Sequence, residues 1–112
     1  GENTYQMARE TIEVRYLGLL QAKGKHKSVK VYELLGKKGE LDEAKQRLAA
    51  KFEFAWTLYA ERNFNAARKA FEECLDIVPE DPPSKVFIAQ CELLAQTPPS
   101  PEWKGEWIQL SK

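Results

Sequence analysis

The sequence predicts an α+β chain that is mainly α: an N-terminal β-hairpin, then a three-helix helix–turn–helix unit, then a tail carrying tryptophans. Three observations predict it. Apolar and polar residues alternate over Ile12–Tyr16 and again from Ser28 to Val31, the period of a strand. From Leu41 through Ala44, Leu48, Phe52, Ala55 and Tyr59 the apolar residues step by three and four, the period of a helix. Across 48–81 small and bulky residues recur at fixed spacing until Pro79 closes the stretch.

Residues 2–9 read as the end of a helix too short to stand alone. From Thr11 the pattern turns extended: Ile12, Val14 and Tyr16 define one face, and Glu13 and Arg15 the polar one. The run Lys23-Gly24-Lys25-His26-Lys27 is a polar, glycine-bearing turn, after which Val29 and Val31 begin a second strand ending near Leu35-Gly36. A hairpin over 12–35 follows. Isolated hairpins are marginal in water, so this one is expected to be the labile part, with an edge prone to self-association. Gly36–Gly39 is a linker. A helix over 41–61 comes next, and Asn65 is expected to cap a second over 66–77. Asp81 before Pro82 predicts the cap and first position of a third helix running to about Ala95. Thr97 to Pro101 is an extended, proline-rich stretch, and the tail holds Trp103, Trp107, Ile108 and Leu110.

The 48–81 stretch resembles a single tetratricopeptide repeat. Ala55, Ala67 and Cys74 fall where that repeat wants small residues, and Leu58, Phe64 and Phe71 where it wants bulky ones. Lys51 departs from the pattern, which prefers tryptophan there. Ile88 and Ala89 repeat the roles of Phe54 and Ala55, so the third helix acts as a cap. Phe54, Ala55 and Leu58 are expected to face the second helix. Phe52, Trp56 and Tyr59 form a neighbouring stripe, where such repeats line a peptide groove. Three aromatics left in water would make a large apolar patch. Either the third helix and the tail, through Trp103 and Trp107, cover the stripe, or a partner does; self-coverage is the expectation.

Composition narrows the function classes. Lysine plus arginine balance aspartate plus glutamate at 17 each, so no global basic field calls for nucleic acid. The charge is nonetheless segregated: 22–38 holds six lysines against Glu33, and 72–81 holds five carboxylates with no cation. No apolar run approaches the ~20 residues of a membrane span, and no signal peptide is evident. Cys74 and Cys91 read as reduced core thiols, which points to a cytoplasmic setting without direct membrane contact. His26 is the only histidine, with no cysteine near it, so neither a zinc site nor a Ser/His/Asp arrangement can be built. Gly18 to Gly24-Lys25 has the wrong spacing for a phosphate loop, and His26 replaces the required hydroxyl.

A second resemblance concerns the hairpin. Val14-Arg15-Tyr16-Leu17-Gly18 through Ala22-Lys23-Gly24-Lys25 to Val29-Lys30-Val31-Tyr32-Glu33-Leu34-Leu35 is similar to the final hairpin of class III adenylate and guanylate cyclase catalytic domains. Pro98-Pro99 with Trp103-Lys104-Gly105 looks like the tail that follows the hairpin in bacterial, membrane-anchored members. The resemblance implies a division into 1–36, the last hairpin of a catalytic domain; 40–96, the helical unit; and 97–112, the Pro/Trp tail. It further implies that Lys23 contacts the nucleotide triphosphate in a parent that makes cyclic AMP or GMP with Mg or Mn. The metal-binding aspartates would lie upstream of residue 1, so this chain would hold no catalytic residue, metal or cofactor of its own. Its partners would be its own catalytic domain and a second copy or a regulatory protein, on the cytoplasmic side of the membrane. The alternative from another class is a stand-alone, tetratricopeptide-like peptide-binding adaptor.

Overall fold

The structure, a computed structural model, describes residues 12–22 and 27–109. The suggested helix end at 2–9, the hairpin tip 23–26 with Lys23, and Leu110 lie outside the described residues. The order is β1 (Ile12–Ala22), β2 (Ser28–Lys37), α1 (Glu43–Ala60), α2 (Phe64–Ile77), α3 (Pro82–Gln96) and β3 (Glu106–Gln109). The chain is thus α+β and mainly α, with the hairpin, three helices and tryptophan-bearing tail in the expected order.

β1 and β2 pair antiparallel, with Arg15 opposite Glu33 and Tyr16 opposite Tyr32. Two irregularities break the register. Leu35 is extra on β2 between the Glu13 and Val14 pairs, and Leu17 is extra on β1 between the Tyr16 and Gly18 pairs. Such bulges shift which side chains point to a given face. β3 pairs parallel to the far end of β1, Leu19 with Glu106 and Leu20 with Trp107, giving the sheet order β2-β1-β3. The hairpin is therefore not left alone, as the sequence led us to expect: its first strand is central.

The helices pack in sequence, α1 on α2 and α2 on α3. Asp42 caps α1 by accepting from the Lys45 amide at 2.8 Å, and Asp81 caps α3 as anticipated. The second helix begins two residues earlier than expected, at Phe64, with Asn63 in the cap position and no side-chain cap bond. The core is one cluster: Leu48, Phe52, Ala55, Trp56 and Tyr59 from α1; Phe64, Ala67, Ala70, Phe71 and Cys74 from α2; Phe87 and Cys91 from α3.

Two expectations about helix faces are corrected. Phe54 does not face α2; it is 56% exposed, with the Lys51 ammonium 5.7 Å from its ring centroid. Ala89 does not repeat the role of Ala55, since Ala55 is fully buried and Ala89 is exposed. The buried line of α3 is Ser84, Phe87 and Cys91 instead. Besides α2, α3 meets Trp107 of β3 through Phe87 and Arg15 of β1 through its cap Asp81.

Candidate functional site

The stripe Phe52, Trp56 and Tyr59 lies at the centre of the molecule, not along a groove. Phe52 is 0% exposed and Tyr59 1%. Phe87 of α3 fills the space a peptide would need. Its ring centroid lies 5.1 Å from Tyr59, 5.8 Å from Phe52 and 5.3 Å from Phe71. All but the stacked Phe71 contact are edge-to-face, the geometry that aromatic quadrupoles favour.

Trp56 is covered from two directions by glycine. A methyl group at Gly18 of β1 would meet Trp56 Nε1 at 2.5 Å, and one at Gly105 of the tail would meet Trp56 Cη2 at 3.0 Å. Both glycines have positive φ, +120° and +103°. Tyr16 adds an edge contact to Trp56 at 4.9 Å. Trp56 Nε1 is buried and bonds to no described group. Gly18→Ala should therefore cost about 2–3 kcal/mol from overpacking and backbone strain together. Urea unfolding checks this, and Gly39→Ala is the control for backbone strain alone, because Gly39 also has a positive φ, +86°, but nothing lies within 4 Å of that site.

The tail returns to the helices at Trp103, whose ring lies 5.2 Å from Tyr59 and 5.8 Å from Phe64. Arg62, in the turn between α1 and α2, clasps it. Its guanidinium donates to the carbonyls of Pro99, Ser100 and Trp103 and lies 5.6 Å from the centre of the Trp103 ring. Trp107 departs from expectation: it meets Phe87 at 6.1 Å rather than the stripe, and 39% of it stays exposed. The reason is β3, which fixes Trp107 beside Leu20. There it borders an open apolar groove of about 400 Å³ with Leu17, Leu19, Val31, Pro82 and Val86.

A buried ionic cluster joins sheet to helices. Arg15, 2% exposed, donates to both Asp81 oxygens at 2.8 and 3.0 Å and to Glu33 Oε1 at 2.8 Å. Its guanidinium also lies 4.8 Å from the centre of the Phe52 ring. Asp81 accepts in addition from Ser84 Oγ at 2.6 Å. Burial opposes the charged form of Arg15, but the two carboxylates outweigh it and raise the pKa above its ordinary value. Burial likewise pushes the Asp81 carboxyl up, but Arg15 and Ser84 prevail and hold it below the usual range. This fork-shaped pairing is the strong form of ion pair. The alternation in β1 had put Arg15 on the polar face.

Cys74 and Cys91 are free and buried, and burial raises both thiols, Cys91 to about 12. Burial that disfavours the thiolate makes a thiol a poor nucleophile. Among the described residues no group of three His, Cys, Asp or Glu side chains is placed to hold a metal, and no helix is long and apolar enough to cross a membrane. No family model, curated protein or solved structure matches the chain.

Sequence reasoning named Phe52, Trp56, Tyr59 and Trp103, which come together, and Trp107, which sits one ring away behind Phe87. It missed Arg15, Gly18 and Arg62, and it read Gly105 as a turn between the two tryptophans without its contact to Trp56. A lone glycine inside a strand pattern signals a bulge or close approach, and that signal was available at Gly18.

Proposed function

We propose that this chain is the carboxy-terminal region of a class III nucleotide cyclase, serving packing, dimerisation or protein contact rather than chemistry. The observation that carries the reading is the hairpin: β1 and β2 pair across the Lys23–Lys27 stretch, and Tyr32 sits in the second strand. The buried Arg15–Asp81 pair supports a role in which the helical unit braces that hairpin. The parent would make cyclic AMP or GMP using Mg or Mn held upstream, with Lys23 on the triphosphate. It would act on the cytoplasmic side of the membrane. The adaptor alternative loses ground because Phe87 and Trp103 occupy the groove it needs.

The test has two arms. The chain alone should give no cyclic nucleotide from ATP or GTP with Mg²⁺ or Mn²⁺. In the parent, Lys23→Ala should raise KM about tenfold, the effect of one lost charge-assisted phosphate contact. Turnover by the isolated chain, or an unchanged parent, would reject the reading.

A further inference from the structure

We propose that the outer edge of β2 takes an acidic, extended segment of a partner protein as an added strand. β2 is ten residues long and ends the sheet, with no described strand on its outer side. Edge strands of this length are templates for strand addition, in which backbone bonds supply affinity and side chains select the sequence. Here the selecting charge is unbalanced. Lys27, Lys30, Lys37 and Lys38 are exposed and make no ion pair among the described residues. The strand's only carboxylate, Glu33, is turned to Arg15, which Asp81 shares, so at most one negative charge stands against these lysines.

The acidic stretch of the chain cannot be the missing counterpart, because it is largely answered at home. Glu72 pairs with Arg68, Glu73 with Lys51 and Glu80 with Lys85. Val29 and Leu34, 58% and 71% exposed, add apolar surface that an incoming strand would cover. The chemistry that fits is a segment alternating Asp or Glu with β-branched residues.

The same lysines argue against a second copy as occupant. A two-fold antiparallel pairing centred on β2 would set Lys27 opposite Lys38, and like charges directly opposed destabilise a pair. Edge lysines deter indiscriminate pairing. An acidic strand is the partner they do not repel.

The experiment titrates the isotope-labelled chain with a peptide of alternating glutamate and valine, followed by amide NMR and hydrogen exchange. Two further peptides serve as controls: one with lysine for glutamate, and one acidic peptide with proline at alternate positions. The expected result is saturable binding with shifts and protection centred on Ser28–Lys37. Binding should weaken at high salt and fall at least tenfold in Lys30→Glu, whose exposed position leaves the fold intact by circular dichroism. Four outcomes would overturn the proposal: no saturable binding at millimolar peptide; equal binding of the proline peptide, which is charge attraction without a strand; shifts at the Trp107 groove instead; or self-association of the chain through β2. The proposal stands apart from the cyclase reading, because neither arm of that test involves the β2 edge.

Discussion

Arg15→Ala is expected to destabilise the chain by about 3–5 kcal/mol, because it leaves the Asp81 carboxylate buried without its partner. Against a typical domain stability of about 5–15 kcal/mol, that is a large fraction, and the melting temperature should drop by on the order of 15 °C or more. Glu33→Gln should cost about 1 kcal/mol or less, since Glu33 is 42% exposed and its pairing is screened. Replacing Arg15 with methionine and Asp81 with leucine together should recover much of the loss, less the cap that Asp81 provides to α3. A double-mutant cycle in urea measures this coupling.

The pH dependence has a definite sign. Asp81 is depressed in the folded state, so its contribution is present above the unfolded carboxylate value near ~4 and is lost as pH falls through the folded one. Arg15 is raised, so its contribution persists throughout the range below ~12. The unfolding midpoint of the wild type should therefore fall below about pH 4, and that fall should be shallower in Asp81→Asn. A loss under 1 kcal/mol in Arg15→Ala, or identical acid profiles, would show that the pair does not hold the sheet to the helices.

Deleting residues 98–112 should have the next largest effect. It removes the Trp103 ring from Tyr59 and Phe64, the Gly105 backbone from Trp56, the acceptors of Arg62 and the strand beside β1. Burial of one large aromatic contributes up to about 3 kcal/mol, so a loss of at least that size is expected. The truncated chain should also bind an apolar dye, because Tyr59 and Trp56 become accessible. Trp103→Ala isolates the ring's share, about 2–3 kcal/mol for a part-buried side chain. A truncated chain that melts unchanged and binds no dye would mean that the tail is not the cover of the stripe.

What was legible in the sequence was local. The three helices follow from apolar spacing, and Asp81-Pro82 announced the start of α3 because capping chemistry is written within a few neighbouring residues. The stripe of Phe52, Trp56 and Tyr59, and its need for a cover, were also readable from spacing alone. The long-range features were not. Arg15 and Asp81 are 66 positions apart, and alternation alone cannot tell that the charged member of a strand face is buried against a distant carboxylate. β3 is only four residues long, below what periodicity can resolve, yet it decides where Trp107 goes. Phe54 was misplaced because it was grouped with its neighbour Ala55, although one residue is about 100° of rotation and the buried line of α1 runs through Leu48, Phe52, Ala55 and Tyr59.

The parallel pairing of Leu19 with Glu106 bears on how the chain is made. On a ribosome, β1 is synthesised among the first described segments and its neighbour β3 is the last. Until β3 has emerged, β1 has a bare side, and Trp56 lacks the lid at Gly105. The helices can nucleate early on contacts close in sequence, but the sheet must wait for its final strand, and closure across so long a loop is slow. Nascent chains stalled before residue 106 should thus resemble the truncated protein: helical, sticky, and recognisable to chaperones that bind exposed strands.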